Sequence, residues 1–331
     1  MSLVVRLGGL CVLGALLAYF ALQLQPKEST SIQAPIRVAV STTPLSAPLI
    51  IADQLKLFEK HGVYVDVIPV RGGNLCFDML LNDEVDLATS SESVVVFNSF
   101  ARQDFAILSS FVESTNDVKL LTMADSDIRN VNDLKDKKIG VVKGSSSEYF
   151  LYTYIILSGY SAIPFEHVYL SAAELPTALI SKKVDVISVW EPYGYDLIHE
   201  YGRKISQLDT QGLYSLSFNL VSKHSQASQH LAENIQILHA LSDAIDFIHR
   251  EPEAAKSMVA SYLHISNDEI NAAWPDYSFR LSLNNALLSS LKTQAHWVID
   301  SEFTDKSTIP DYRQLVDRRA FDTMTKLATE Y

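Results

Sequence analysis

Cysteine is scarce in this sequence of 331 residues, which has only Cys11 and Cys76. Cys11 lies within an apolar N-terminal segment, so Cys76 has no partner for an intramolecular disulfide in the rest of the chain. This excludes a disulfide-stabilised scaffold and a metal site built from cysteines. The nine histidines show no metal-binding spacing such as His-Glu-x-x-His, and no Gly-x-Ser-x-Gly turn occurs. Because no motif demands catalysis, a metal or a cofactor, we expect a protein that is not an enzyme.

Positive charge is also in short supply. The chain has 27 lysines and arginines against 39 acidic residues, a net charge of −12, and no basic run long enough to neutralise a phosphate backbone. Nucleic acid is therefore not expected as a partner. With 47% hydrophobic and 20% charged residues the chain can form packed cores, and at about 150 residues per domain it is expected to form about two domains.

The N-terminal residues have the layout of a targeting segment. Residues 7–21 are all apolar or glycine and follow a short start that carries Arg6, which is typical of a secretory signal. The apolar length is also close to the roughly 20 residues that span a bilayer. We therefore predict that residues 1–25 are a signal peptide or an N-terminal anchor in the inner membrane, followed by a polar linker at residues 26–35. In both cases the rest of the chain is expected to be periplasmic or extracytoplasmic.

Two parts of the chain repeat one order of predicted elements. The first has strands at residues 36–40, 64–70 and 85–88, with a helix at 46–60 that Gly62 ends and a helix to residue 81 that Asn74 caps. About 100 residues later come strands at 138–142, 167–170 and 184–189 and a helix at 147–157. The strongest similarity, the Val-Asp echo, is between residues 80–87 and residues 179–186. Each segment has a helix end, a polar turn and then Val-Asp at the start of a strand. This order predicts an α/β fold with two similar lobes, each a mostly parallel sheet flanked by helices.

The remaining residues are predicted to complete the first lobe. Alternating apolar residues at 214–221 predict a strand that returns the chain, and from residue 233 the apolar residues recur at helical spacing, with Pro252 beginning a further helix. We therefore predict lobe 1 from residues 36–121 and 218–331, with a helical C-terminal segment, and lobe 2 from residues 122–217.

Small polar residues follow the predicted strands, and ligands of open parallel sheets bind beyond the carboxyl ends of the strands. We predict a ligand site from both lobes, made of Ser41, Thr42, Thr43, Gly73, Asn74, Ser90, Ser91, Gly144, Ser145, Ser146, Ser147, Trp190 and Glu191. Ser145 and Glu148 have the spacing of a capping box, so these serines either bind an oxyanion or only cap the helix. There is no phosphate-binding loop, because the second glycine and the Lys-Ser/Thr pair are missing.

Trp190-Glu191-Pro192 directly follows a predicted strand. The Trp190 ring is expected to form a wall of the ligand site. Glu191 has three interpretations: it accepts a hydrogen bond from an amine of the ligand, it pairs with Arg71 or Lys143, or it lies in solvent. Arg71 is either an anion clamp or a surface group. Cys76 lies on an apolar helix with no adjacent base and is interpreted as a small core residue.

Several segments, in this order, resemble the substrate-binding proteins of ABC importers for nitrate, sulfonate, taurine and related molecules. The similarity rests on residues 50–63, 85–88, 131–141, 144–146 and 184–193, and it runs from about residue 36 to 317. The resemblance implies a periplasmic binding protein type II fold that closes on a small polar ligand, anionic or heteroaromatic, and delivers it to an ABC permease and ATPase. The chain is also similar in fold to thiamine-pyrimidine precursor binding proteins. It departs from the family where Asn82-Asp83-Glu84 and Ser181-Lys182-Lys183 replace the usual glycine turns.

Two other functions remain open at this point. A membrane-tethered sensor would bind the same ligand and contact a signalling partner, and a retained N-terminal anchor would suit it. A pyrimidine-forming enzyme of thiamine synthesis has a similar scaffold, but it is expected to show a cysteine-rich motif that this sequence lacks.

Overall fold

The computed structural model describes residues 34–160, 163–210 and 212–329. The predicted signal or anchor and nearly all of the predicted linker lie outside these residues. Within the part of the chain that is described, no helix is both long enough and apolar enough to span a bilayer.

Eleven strands form two sheets within the described residues. They are β1 Ile36–Ser41, β2 Val65–Val70, β3 Leu87–Ser91, β4 Phe105–Ser114, β5 Val118–Met123, β6 Lys138–Val141, β7 Glu166–Tyr169, β8 Val186–Trp190, β9 Ile205–Gln207, β10 Leu216–Lys223 and β11 Tyr277–Ser282. The first sheet has the order β11-β4-β10-β3-β1-β2 and the second has β7-β6-β8-β5-β9.

The helices of the described residues surround these sheets. They are α1 Ala47–Gln54, α2 Leu57–Lys60, α3 Gly73–Leu81, α4 Glu92–Ser99, α5 Ser146–Leu157, α6 Leu175–Ile180, α7 Tyr193–Tyr201, α8 His224–Gln229, α9 Leu231–Arg250, α10 Pro252–Leu263, α11 Asn267–Ala273, α12 Asn285–Asp300 and α13 Arg319–Thr329. The predicted α/β fold class, with two sheets, flanking helices and a helical C-terminal region, is confirmed.

Each sheet contains the same parallel unit of three strands. In the first sheet β1 pairs in parallel with β2 and β3, and in the second β6 pairs in parallel with β7 and β8. Antiparallel strands complete both sheets: β10, β4 and β11 extend the first, and β5 and β9 extend the second. The repeated order of elements in the sequence therefore corresponds to a repeated arrangement in space.

The Val-Asp echo has a structural role in both sheets. The Asp86 carboxylate accepts a hydrogen bond from the main-chain N–H of Arg37 at 2.9 Å, and the Asp185 carboxylate accepts one from that of Lys138 at 2.8 Å. The N–H of each aspartate donates to the carbonyl of the same partner residue. Each aspartate thus fixes its strand against the neighbouring one at the amino-terminal end of the parallel unit.

The turns before these aspartates keep the backbone shape that a glycine would favour. Asp83 has φ 62° and Lys182 has φ 58°, which is the left-handed region. Both turns therefore contain a residue in the backbone region that favours glycine, although neither has a glycine.

The chain crosses between the sheets at positions that differ from the predicted ones. All of β5 pairs within the second sheet, so the first crossing is at residues 115–117 and the predicted boundary after residue 121 falls inside a strand. The return crossing is at residues 208–215, close to the predicted end of lobe 2 at 217. The apolar residues of β4 and β5 look alike in sequence, and only the pairing partner distinguishes their sheets.

Two helix predictions need correction. The predicted helix 46–60 is broken after Gln54, because Lys56 adopts φ 53°. The helix α3 begins at Gly73 with Gly72 as its N-cap residue, so Asn74 is inside the helix and does not cap it. The apolar stripe of α9 is buried as predicted, and Pro252 is the first residue of α10.

Gly140 in β6 illustrates how closely the second core is packed. A Cβ atom at this position would lie 2.8 Å from Leu175 Cδ2 and 3.3 Å from Ile187 Cγ2. Both leucine and isoleucine are fully buried, so the sheet and α6 touch through the glycine backbone.

Candidate functional site

The carboxyl ends of strands from both sheets meet at a small cavity of ≈ 30 Å³, the inner cavity. The residues that line it are Ser41, Thr43, Leu45, Gly73, Asn74, Ser91, Val94, Asp117, Ser145, Ser146, Trp190, Leu216 and Phe218. Since a void needs roughly 10–15 Å³ to hold one water, this space has the size of about two waters. Most of the residues that we predicted for the ligand site come together here.

The hydroxyl groups of Ser41 and Thr43 lack partners. Both residues are buried, with 0% and 5% of their surface exposed, and neither side-chain oxygen has a hydrogen bond to any described residue. Ser46 and Ser90 also carry unpaired buried hydroxyls, but they do not line the inner cavity. Because an unsatisfied buried polar group costs about 1–3 kcal/mol, the two hydroxyls at the cavity are suited to a ligand that accepts hydrogen bonds.

The serine run at the start of α5 is largely occupied by its own structure. Ser145 is the N-cap; its Oγ accepts from Ser147 N–H and donates to the Val142 carbonyl at 2.7 Å. Ser147 Oγ donates to the Ser188 carbonyl at 2.6 Å and accepts from Val142 N–H. The Ser145 hydroxyl therefore stabilises the loop between β6 and α5, and the Ser147 hydroxyl holds that loop against β8. The protons of both hydroxyls are used by main-chain carbonyls and are not available to an oxyanion.

The predicted capping box at this helix is wrong in its details. The Glu148 carboxylate accepts from Gly144 N–H at 2.7 Å, one residue further back than the N-cap, and from the Tyr169 hydroxyl. Burial raises the pKa of Glu148. Of the run 144–147, Ser146 is left with a side chain at the cavity wall and no hydrogen-bond partner among the described residues.

Trp190 ends β8 and separates two spaces. Its ring lines the inner cavity and also a larger groove of ≈ 1150 Å³, the outer groove. Thr43 lines both as well, whereas Thr42 and the exposed Arg71 lie in the outer groove. The other residues of that groove include Gln54, Tyr193, Asp196, Met258, Tyr262 and His264.

Glu191 is directed away from both spaces. Its carboxylate forms an ion pair with Lys119 Nζ at 2.6 Å and accepts from Tyr195 N–H at 2.7 Å. Arg71 and Lys143, which one of the three interpretations of Glu191 gave as its partners, form no ion pair with it, and Lys143 lies over the Tyr169 ring. Ser90 and Gly144 also line neither space, although their neighbours in the sequence, Ser91 and Ser145, line the inner cavity.

Asp117 is a cavity residue that the sequence analysis missed. It lies on the crossing between β4 and β5, whereas the predicted site residues all follow strands of the parallel units. Its Oδ1 accepts from the Tyr277 hydroxyl at 3.0 Å, and it is only 3% exposed. Burial, followed by the nearby Glu191 carboxylate, raises the pKa of Asp117 to about 7. The one signal in the sequence was the polar turn at residues 115–117 between two apolar strands.

The described residues contain no cluster of side chains suited to a metal ion. Cys76 is fully buried in α3, makes a weak contact with Thr89 Oγ1, and does not line the inner cavity. Burial raises the pKa of its thiol to about 12. The available chemistry of the cavity is therefore hydrogen bonding by hydroxyl, amide and carboxyl groups.

A cavity formed between two α/β sheets by strand ends and a helix N-terminus is the arrangement of a solute-binding protein fold. The structure resembles the alkanesulfonate-binding protein SsuA from Xanthomonas axonopodis pv. citri bound to MOPS, with a TM-score of 0.76 at 21% identity over 86% of this chain and 98% of that one. It also resembles the desulfurization enzyme DSZB, with a TM-score of 0.63 at 13% identity over 88% and 99% of the two chains. The fold is thus shared by a binding protein and an enzyme.

The chain belongs to the NMT1/THI5-like family, whose model matches residues 43–255. A protein of Bacillus subtilis (strain 168) that is named for binding aliphatic sulfonates is 31% identical over 205 residues. That alignment covers 60% of this chain and 61% of the Bacillus protein, so less than two thirds of the relative's length is matched.

Proposed function

We propose that this protein is an extracytoplasmic solute-binding protein that holds a small organic sulfonate between its two sheets and delivers it to the permease and ATPase of an ABC importer. The names of the Bacillus relative and of the Xanthomonas structure support this ligand class. The apolar N-terminal segment, whether cleaved or retained as an anchor, supports a location outside the cytoplasm.

The observation that carries the proposal is the pair of unpaired hydroxyls at Ser41 and Thr43. A sulfonate offers three acceptor oxygens and no donor, which is the complement of a wall of hydroxyl and amide donors. Asn74 and Ser146 face the same cavity from α3 and α5, so donors from both sheets converge on it. A ligand that contacts both sides favours the closed form of the protein.

The net charge of −12 does not attract an anion over a distance. Selectivity for a sulfonate must therefore come from the local donors, and affinity should depend strongly on them.

The test is the binding of 1-propanesulfonate to the full-length chain, measured by calorimetry. The double variant S41A/T43V keeps the shape of the cavity and removes both hydroxyls. Since hydrogen bonds to a charged group are worth about 1.5–3 kcal/mol, it should weaken binding by at least about tenfold. S46A is the matched control, because Ser46 also carries an unpaired buried hydroxyl but lies outside the cavity. Equal affinities in all three proteins would reject the site, and binding of nitrate without any sulfonate would reject the ligand class.

An enzymatic role on the same scaffold is the alternative, because DSZB has this fold. The residues of the inner cavity include no cysteine and no histidine, and the buried thiol of Cys76 is protonated at neutral pH. Nucleophilic catalysis by a thiolate at this cavity is therefore not favoured.

A further inference from the structure

Glu92 is a fully buried carboxyl group that lies outside the inner cavity. It is the first residue of α4 and follows Ser91, which caps that helix and lines the cavity. Its two oxygens accept hydrogen bonds from the Tyr214 hydroxyl, from the Gln294 side-chain amide at 3.0 Å, and from the main-chain N–H and hydroxyl of Ser217 at 2.8 and 3.0 Å. Burial raises the pKa of Glu92, and these hydrogen bonds oppose the rise. Glu92, Tyr214, Ser217 and Gln294 form the Glu92 network.

The Glu92 network joins three other parts of the chain to α4. Ser217 is in β10, Gln294 is in α12, and Tyr214 lies on the return crossing between the sheets. Leu216, between Tyr214 and Ser217, lines the inner cavity. Because a buried polar group that loses its partner costs free energy, the network fixes all three parts relative to α4.

Tyr214 makes contacts with helices of both sheets. Its hydroxyl is 2.9 Å from the Ser93 hydroxyl and also donates to Glu92, so α4 holds this end of the side chain. Its ring contacts the Tyr149 ring, with centroids 5.4 Å apart, and the Phe150 ring, with centroids 6.0 Å apart. Both of these rings belong to α5, which packs against β5 and β8 of the second sheet, whereas α4 packs against β3 and β10 of the first. Tyr214 therefore bridges helices of the two sheets.

Separation of the two sheets must disturb the contacts of Tyr214. If α4 and α5 move apart, the hydroxyl leaves α4 or the ring leaves α5, because one short side chain cannot follow both helices. Ser91 and Ser146 lie at the N-terminal ends of α4 and α5, and both line the inner cavity. The movement that disturbs Tyr214 therefore also opens the cavity.

We propose that Glu92 and Tyr214 are positioning residues that hold the two sheets in the arrangement that closes the inner cavity on a solute. Neither side chain lines the inner cavity or the outer groove, so the pair acts on closure and not on contact with the solute. The inference goes beyond the proposed function, because it applies to any solute that favours the closed form. A weaker closed form releases its solute faster, so the effect should lie in the dissociation rate.

The experiment uses the full-length variant Y214F, which keeps the ring and removes the hydroxyl. It should bind 1-propanesulfonate about tenfold more weakly than wild type, because a hydrogen bond to a carboxyl group is lost from the closed form. Stopped-flow measurements should assign most of this loss to faster dissociation. Small-angle X-ray scattering of the ligand-free proteins should give a larger radius of gyration for Y214F than for wild type.

The matched control is Y312F. Tyr312 is also fully buried, and its hydroxyl is 2.9 Å from that of Ser99, the last residue of α4, but it does not lie on a crossing between the sheets. Y312F should lose about as much stability towards urea as Y214F, and it should keep the affinity and the radius of gyration of wild type.

A second variant, E92Q, replaces one acceptor oxygen of the network with an amide group. It should also weaken binding, and E92Q/Y214F should bind about as weakly as the weaker of the two single variants, because residues of one network do not act additively. Additive losses would show that the two residues act separately and would contradict their role as a pair. If E92Q does not fold, the comparison of Y214F with Y312F decides.

Two further results would overturn the inference. One is an equal loss of affinity in Y214F and Y312F, which would show that the hydroxyl acts only through overall stability. The other is a wild-type affinity and dissociation rate in Y214F. If the folded wild-type protein binds no sulfonate, the proposed function fails, and the scattering of the ligand-free proteins then tests the inference alone: equal radii of gyration for wild type and Y214F would reject it.

Discussion

The ion pair of Lys119 and Glu191 joins β5 to the start of α7, and its removal should destabilise the protein strongly. The two charged atoms are 2.6 Å apart, and the side chains are 10% and 8% exposed. The variant K119M leaves a buried carboxylate whose remaining contact is the N–H of Tyr195. Breaking one side of a buried pair costs about 3–5 kcal/mol. At roughly 2–4 °C per kcal/mol for a protein of this size, the melting temperature should fall by about 10 °C.

Urea unfolding of K119M at pH 8 measures this cost. The double variant K119M/E191Q should recover most of the stability, since a neutral pair leaves no buried charge.

The control is K138M. Lys138 and Glu166 are 3.9 Å apart with side chains 54% and 63% exposed, and such surface pairs contribute about 0–1 kcal/mol. If K119M were no less stable than K138M, the Lys119–Glu191 pair would not hold the two elements together, and the reasoning would be refuted.

Three further predictions concern single positions. G140A should lower the urea midpoint, at a cost of about 1–3 kcal/mol, because the new methyl group would lie 2.8 Å from Leu175; an unchanged midpoint would show that the core yields there. Cys76 should react with a thiol reagent at pH 8 only after unfolding, because it is buried and its pKa is about 12; stoichiometric labelling of the native protein would contradict this. Asp117 has a pKa of about 7 when folded against 3.8 in the unfolded chain, so its contribution destabilises the ligand-free protein increasingly from pH 4 to 7. Urea titrations at pH 5 and pH 8 should show a smaller loss of stability with rising pH in D117N than in wild type, and equal losses would contradict the assignment.

The parallel units could be predicted from sequence because their signals are local. Each strand is a short apolar run, and each is followed by a helix whose spacing and end are visible. The Val-Asp echo identified corresponding places in the two lobes, and the structure shows Asp86 and Asp185 in the same hydrogen bonds.

The antiparallel strands could not be assigned in the same way. β4 and β5 are consecutive apolar strands, yet they belong to different sheets. β11 follows a helical segment and pairs with β4 more than 150 residues earlier in the chain. Pairing between strands so far apart in the chain depends on how the whole fold packs. A short stretch of sequence does not contain that information.

The candidate site was also predictable only where the signal in the sequence is local. The strand-end rule predicted Ser41, Thr43 and Trp190, which line the inner cavity. It could not show that Ser145 and Ser147 are occupied by main-chain partners, or that Glu191 has a lysine beside it. It missed Asp117 altogether because the residue lies on a crossing between sheets.

The two aspartates that fix the parallel units lie at the opposite end of the strands from the cavity. Asp86 precedes β3 and Ser91 ends it, and Asp185 precedes β8 and Trp190 ends it. Strand register is therefore set at the amino-terminal ends of the parallel strands, and the inner cavity lies at their carboxyl ends. Substitutions at the cavity could therefore change which solute is bound while the strand pairing stays the same. A change of specificity in evolution would then not require the fold to be destabilised.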